Sequence, residues 1–140
     1  MSDRFVRPDK VSTFRKLAAI SWAPPSDPTI YGATEVVADR LTAYVADLQK
    51  RTGQRVSVTH AVARAFAVVL GAHPNLNATI RRGRIWLRRD VDVFLQVSVP
   101  PKIKGDLQGA DLSGAVIRRA DTKGTAEIAA ELQQVAEQIR

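Results

Sequence analysis

The hydrophobic pattern of the chain centres on residues 57–78, where a nearly continuous apolar helix is followed by a stop and a strand. Ser57 is a good N-cap, because its hydroxyl can accept a hydrogen bond from a backbone N–H of the first turn. Pro74 ends the helix, since it cannot continue the helical hydrogen bonding. A helix that is apolar over most of its circumference is typical of a buried central element. Its strongly polar residues are Thr59, His60 and Arg64.

Three further helices are predicted from apolar residues that recur at helical spacing. A short helix covers residues 14–20, and a proline cluster at positions 24–28 follows it. The second is expected to have Asp39 as its N-cap and to stop at Gly53, which suits a left-handed C-cap. This helix is amphipathic, so we expect it to cover a sheet. The last helix has an apolar face made of Ile128, Leu132, Val135 and Ile139.

The clearest strand is predicted at residues 91–99, where aliphatic residues alternate with more polar ones at a period of two. Residues 100–114 are rich in proline and glycine and predict a long loop, where binding residues often lie. Arg82 and Gly83 predict the turn of a hairpin. The other strands are predicted at residues 29–37, 78–80, 84–87 and 115–118.

The order of these elements predicts an α+β fold, a two-layer sandwich of a mixed sheet with helices mainly on one face. Residues 1–11 are expected to form a flexible arm, and residues 12–140 a single domain. A chain of 140 residues is long enough to bury a core of its own.

Composition narrows the class of protein. The chain is 45% hydrophobic and 25% charged, which is typical of a globular protein and excludes both disorder and a membrane protein. The N-terminus carries no apolar signal segment, so we expect a cytoplasmic protein without a membrane partner. With no cysteine, disulfides and a thiolate nucleophile are excluded, and no metal site is expected.

The net charge of +7 raises the possibility of an anionic partner. Nucleic acid, an acidic protein surface and the phosphates of coenzyme A are the three alternatives. The simplest interpretation is an exposed hairpin whose arginines bind nothing, and we favour it. Nucleic acid is disfavoured, because no recognised module or aromatic stacking platform accompanies the arginines. The cluster consists of Arg81, Arg82, Arg84, Arg88 and Arg89.

The usual enzyme signatures are missing from the sequence. It contains no dinucleotide fingerprint, P-loop, metalloprotease motif or nucleophile elbow. Any catalytic function must therefore come from a different pattern.

Several segments, taken in series, resemble the catalytic domain of 2-oxo acid dehydrogenase dihydrolipoyl acyltransferases, whose fold is shared with chloramphenicol acetyltransferase. The resemblance covers residues 12–140 and corresponds to the N-terminal half of that domain. It therefore implies half of a chloramphenicol acetyltransferase-like fold, with no lipoyl or subunit-binding domain. The matching segments are FRKLAAI at 14–20, ATEV at 33–36, RVSVTHAVARAFAVVLGAHPNLNA at 55–78, DVDVFLQV at 90–97 and VIRRADTKGTAEIAAEL at 116–132.

The resemblance implies acyl transfer between coenzyme A and a dihydrolipoyl thiol, in a channel between the subunits of a trimer. In the family a histidine in a His-x-x-x-Asp-Gly motif acts as general base on the thiol. That motif belongs to the C-terminal half. Neither His60 nor His73 is followed by the required Asp-Gly, so no catalytic residue is assigned here.

Other roles can be assigned by the same resemblance. Arg88, Arg89 and Ser98 are candidates for contact with the cofactor, and the arginines would meet its phosphates. Arg15 and Asn77 are expected to brace the fold.

Three positions depart from the family pattern. Val37 stands where the family usually has an aspartate. Phe94 and Gln96 replace small residues of the central strand, and their side chains would narrow the substrate channel.

Three hypotheses remain open at this stage. The chain can be part of an acyltransferase whose catalytic half is removed or supplied by another chain, which is the hypothesis we favour. It can also be a noncatalytic scaffold of the same fold. The third alternative is a basic protein that binds an acidic partner through its arginine cluster.

Overall fold

The computed structural model describes residues 4–21, 31–99 and 111–139. Its mixture of helices and strands confirms the predicted α+β class. Within these ranges, no helix is both long and apolar enough to cross a membrane. In chain order the elements are β1 (Phe5–Val6), α1 (Thr13–Ser21), α2 (Asp39–Thr52), α3 (Val58–Ala72), β2 (Ala78–Arg81), β3 (Arg84–Arg88), β4 (Val93–Val99), β5 (Asp111–Ile117), a 3-10 turn (Ala120–Thr122) and α4 (Thr125–Ile139).

The described strands pair in two small antiparallel sheets, not in the single mixed sheet that was predicted. The first has the order β1-β3-β2, and α1 packs on β3. The second consists of β4 and β5, with Val93 opposite Ile117. The predicted hairpin is confirmed, because β2 and β3 pair around Arg82 and Gly83. Their φ angles of 52° and 66° are both positive, as a type I′ turn requires.

The core lies between the β4–β5 sheet and the helices. Ile117 and Ile128 are almost completely buried and belong to a cluster with Ala67, Val91 and Ala120. A second cluster joins α2, α3 and α4 through Val45, Val56, Ala61 and Ala129. Because α3 and α4 contribute to both clusters, these helices tie the sheet to α2.

The predicted C-terminal limit of α2 is confirmed, because Gly53 follows the helix as a left-handed C-cap with φ of 67°. At the other end, Asp39 is the first helical residue and not the predicted cap, since Ala38 occupies the N-cap position without a side-chain hydrogen bond. The Gly53 N–H donates to the carbonyl of Gln49 at 2.9 Å. Glycine suits this conformation because it has no side chain to clash with the backbone.

Three sequence predictions fail in the described residues. Residues 31–37, predicted as most of a strand, have no regular structure, and Val37 is 87% exposed because no partner strand covers it. Phe5 and Val6, predicted within a flexible arm, form β1 by pairing with β3. Residues 111–114, predicted as the end of a long loop, belong to β5. The rest of that loop and the proline cluster lie outside the described residues.

Helix α3 differs from its prediction in which side chains it buries. It packs on the core through Ala61, Ala63 and Ala67, because these small residues allow close approach to the neighbouring elements. Most of its large side chains point away, although Leu70 packs against the core, so the helix is half-exposed and not buried all round. Four of the exposed side chains are here called the apolar face of α3: Val58, Val62, Phe66 and Val69, which are 42%, 54%, 58% and 48% exposed.

Candidate functional site

His60 forms part of the N-terminal cap of α3. Its Nδ1 accepts a hydrogen bond from the backbone N–H of Ser57 at 2.9 Å, and the Ser57 hydroxyl lies 2.9 Å from the same nitrogen. Since the Nδ1 lone pair is used in this way, the proton of the neutral imidazole resides on Nε2. Partial burial lowers the pKa of His60, which favours this neutral form.

The imidazole also lines a cleft of about 470 Å³ between the start of α3, β4 and α4. Gln96, Gln133 and Glu137 contribute polar groups to its wall. His60 can donate a hydrogen bond into such a cleft from Nε2, but it cannot accept a proton without giving up its capping bond. The geometry therefore argues against His60 as the general base for a thiol.

Asn77 links the end of α3 to the first sheet. Its side-chain Nδ2 donates to the carbonyl of Asp90 at 3.0 Å, and its own carbonyl accepts from the N–H of Arg88 at 2.9 Å. In the same turn, Arg15 of α1 donates from Nη1 to Oδ1 of Asn75 at 3.4 Å. Asn77 therefore lies in the segment between α3 and β2 that Arg15 contacts, although the two residues do not bind each other in the described contacts.

Asp92 organises a second turn, which sequence reasoning missed. Its Oδ2 accepts from Nη1 of Arg118 at 2.7 Å, and its Oδ1 accepts from the backbone N–H of Arg119 at 3.0 Å. Burial alone would raise the pKa of Asp92, but these two hydrogen bonds and the positive charges of Arg118 and Arg4 outweigh it and lower the pKa. The available signal was an acidic residue at the start of the best strand.

One face of the first sheet is strongly basic and also aromatic. The guanidinium carbon of Arg7 lies 5.0 Å from the ring centre of Trp86, and that of Arg88 lies 5.9 Å from the ring centre of Phe5. Sequence reasoning missed Phe5 and Arg7, because pairing β1 with β3 is a contact across most of the chain. We call this surface the basic face: Phe5, Arg7, Thr79, Arg81, Arg84, Trp86 and Arg88.

The predicted cofactor residues do not share one surface. Arg88 lies on the basic face, whereas Arg89 follows the strand and donates its backbone N–H to the carbonyl of Arg4 at 3.0 Å. Ser98 lies on β4 in the other sheet, opposite Leu112. Their assignment to coenzyme A remains a prediction from resemblance. Within the ranges given above, no cluster of three histidine, aspartate or glutamate side chains could hold a metal ion.

The comparison with protein families supports the resemblance that the sequence suggested. A family model described as 2-oxoacid dehydrogenases acyltransferase (catalytic domain) matches residues 11–140. The chain belongs to this acyltransferase family. No curated protein and no solved structure matches it significantly. The match to the acyltransferase family begins after β1, so Phe5 and Arg7 of the basic face lie outside it.

Proposed function

We propose that this chain forms part of a coenzyme A-dependent dihydrolipoyl acyltransferase and works with a polypeptide segment that carries the catalytic base. The observation that carries the proposal is the match to the acyltransferase catalytic domain over residues 11–140. In the proposed reaction, the base takes the proton of the dihydrolipoyl thiol, the sulfur attacks the thioester carbonyl, and the coenzyme A thiolate leaves.

The hydrogen bonding of the His60 imidazole supports the proposal that the catalytic base comes from another polypeptide segment. Its Nδ1 is engaged by Ser57, and its Nε2 carries the proton. His73, the other histidine, is followed by Pro74 and not by the Asp-Gly sequence that the resemblance associates with the base. Both histidines therefore fit structural positions better than a proton-accepting one.

The exposed apolar face of α3 supports the proposal that another polypeptide segment packs against this chain. Four large apolar side chains are exposed in a row on the most hydrophobic helix of the chain. Exposed contiguous apolar patches usually mark contact with another protein surface. We propose that the segment carrying the His-x-x-x-Asp-Gly motif, here termed the catalytic half, covers this face. Assembly as a trimer is part of the same proposal and rests on resemblance, and a cytoplasmic location rests on the N-terminal sequence.

The proposal is tested by mixing the chain with the catalytic half of a family acyltransferase and following acetyl transfer from acetyl-coenzyme A to dihydrolipoamide. Activity is expected in the mixture and absent from each polypeptide alone. A matched mixture should be inactive when the motif histidine of the catalytic half is changed to alanine. If the catalytic half is active alone and its rate of acetyl transfer does not change when this chain is added, the proposal is contradicted.

A noncatalytic scaffold of the same fold is the second candidate, and it is favoured by the capping role of His60. Sedimentation velocity separates the two candidates when it is combined with the activity assay. A stable oligomer that stays inactive with every catalytic half supports the scaffold. An oligomer that gains activity supports the enzyme.

A further inference from the structure

The basic face combines cationic and aromatic groups on three neighbouring strands. Arg84, Trp86 and Arg88 alternate along β3, so their side chains point to the same side of the sheet. On β2, Thr79 and Arg81 stand opposite Trp86 and Arg84. The face therefore holds guanidinium groups from three segments of the chain around two aromatic rings.

The opposite side of this sheet is partly covered by α1. A Cβ atom placed on Gly83 would lie 3.2 Å from Cγ1 of Ile20, which shows how closely α1 approaches the hairpin. Ala19, Ile20 and Ile85 line the space between the helix and the strand. A second cavity of about 490 Å³ lies on this side of the sheet, but the aromatic rings of Phe5 and Trp86 line only the cavity of the basic face.

The positive charge on the basic face is not neutralised by the described carboxylates. Arg81 and Arg84 stand directly opposite each other, an arrangement of like charges that destabilises a strand pair. The ion pairs Arg51–Asp47, Arg118–Asp92 and Lys123–Glu131 include no arginine of this face. Such a surface is stabilised when an anion binds to it.

The adjoining turn adds a further cation in a strained conformation. Arg82 has φ of 52°, where asparagine, aspartate or glycine is the usual residue of a type I′ turn. It lines the same cavity, of about 490 Å³, as Phe5, Arg7 and Trp86. Strained residues of this kind cluster at binding sites.

We propose that the basic face binds single-stranded nucleic acid. Arginines supply paired N–H donors for phosphates, and aromatic rings and guanidinium planes supply surfaces on which unpaired bases stack. Sequence reasoning disfavoured this partner because it found no aromatic platform. The structure supplies one, since β1 brings Phe5 and Arg7 beside Trp86 and Arg88.

Three arguments favour this ligand over other anions. The carboxylate side chains of an acidic peptide carry no rings that would stack on Phe5 and Trp86, whereas each nucleotide joins a phosphate to a planar base. In a duplex the bases are already stacked on one another. A single phosphate is too small for the face, because Arg84 and Arg88 are four residues apart on β3 and stand about 13 Å from each other along the strand.

The test measures fluorescence anisotropy of a labelled oligouridylate of about 12 nucleotides, a length within the usual site size, with the full chain. If four guanidiniums each neutralise one phosphate, the logarithm of the binding constant should fall with the logarithm of salt concentration with a slope of about −2.8. Replacing two of them in Arg81→Gln/Arg84→Gln should reduce that slope by about 1.4. Trp86→Leu should weaken binding about 5- to 150-fold.

The matched control removes two arginines from α2 in Arg40→Gln/Arg51→Gln. It lowers the net charge by the same two units, from +7 to +5, and should leave the slope unchanged. An equal reduction of the salt slope in this control would overturn the proposal, because it would show that the oligomer binds through the net charge alone. Thermal unfolding checks each variant. Phe5→Leu replaces Trp86→Leu as the stacking variant if the latter fails to fold.

Competitors separate the other ligands. Single-stranded DNA should displace the labelled oligomer, whereas a duplex of the same length, poly-glutamate and ADP should not do so at equal phosphate or carboxylate concentration. Displacement by poly-glutamate as effective as that by single-stranded DNA would contradict the proposal. Binding of ADP or coenzyme A without binding of the oligomer would do the same.

Discussion

Asp92 holds Arg119 in a left-handed backbone conformation through a hydrogen bond of 3.0 Å from the Arg119 N–H to Oδ1. Arg119 has φ of 49° and ψ of 47°, a region that residues with side chains rarely adopt. The next residue, Ala120, donates its N–H to the carbonyl of Val91 at 2.7 Å and is completely buried. One carboxylate therefore fixes the turn that places β5 and α4 around the core.

We predict that Asp92→Asn lowers the free energy of unfolding by about 1 to 3 kcal/mol, because hydrogen bonds to a charged group are stronger than those to a neutral one. Urea unfolding measures the difference. Asp47→Asn is the matched control, since Asp47 forms an exposed ion pair with Arg51 on α2 and should cost less than about 1 kcal/mol. Equal losses in the two variants would show that Asp92 has no special role.

The lowered pKa of Asp92 predicts a pH dependence with a definite sign. A carboxyl whose pKa is lower in the folded state stabilises the fold above its unfolded pKa of about 3.9, and this contribution is lost as the pH falls through the folded value. Unfolding measured from neutral pH downward should therefore show a loss below about pH 4 that Asp92→Asn lacks. An identical acid profile in the variant would contradict the assignment.

The lowered pKa of His60 predicts a second loss of stability on acidification, in a pH range above that of Asp92. Burial lowers its pKa in the folded state, so the unfolded state binds protons more readily, and stability should fall as the pH drops below about 6.5. His60→Gln should remove this dependence, and His73→Gln, at an exposed position, should leave it unchanged. Thermal unfolding between neutral and mildly acidic pH measures both. A pH dependence that follows His73 would show that the cap of α3 is not its source.

The hairpin and α2 could be predicted because their signals are local. Arg82 and Gly83 form a tight turn, and Gly53 directly follows the last residue of α2 and ends the helix. The pairing of Phe5 with Arg88 has no such signal, because the two residues are far apart in the sequence. The basic face depends on that pairing, and so its aromatic part could not be predicted.

The apolar composition of α3 predicted that the helix is buried, but it did not predict which side of the helix faces the core. Residues such as Ala67 and Phe66 are adjacent in sequence, and either could face the core. The helix buries Ala61, Ala63 and Ala67, because small side chains allow the neighbouring elements to pack closely, and it leaves Phe66 exposed. Residues 31–37 failed for a related reason, since an alternating pattern forms a strand only where a partner strand is available.

Gly114 allows the ring of Phe94 to lie across the β4–β5 sheet. A Cβ atom at Gly114 would lie 2.0 Å from Cζ of Phe94, so Gly114→Ala must displace that exposed ring. We expect a cost of about 1 kcal/mol, at the low end of overpacking effects, because the ring can move into solvent. In the double variant Phe94→Ala/Gly114→Ala, the glycine substitution should cost less than it does alone. Simple additivity in urea unfolding would exclude the contact.

The apolar face of α3 should matter for assembly and not for the stability of the isolated chain. Phe66→Ser changes an exposed side chain, so unfolding should shift by less than about 0.5 kcal/mol. Ile128→Val changes a buried one and should cost about 0.5 to 1.5 kcal/mol. In the mixture with the catalytic half, Phe66→Ser should raise the concentration of chain needed for activity, and Ile128→Val should not. The reverse order would show that this face is not the contact surface.

The most direct test of the proposed function is the rate of acetyl transfer from acetyl-coenzyme A to dihydrolipoamide with this chain alone and with the catalytic half added. We predict no transfer above the uncatalysed rate with the chain alone, and transfer that requires both polypeptides in the mixture. Transfer by the chain alone that is lost in His60→Ala would contradict the account, because it would make His60 the base.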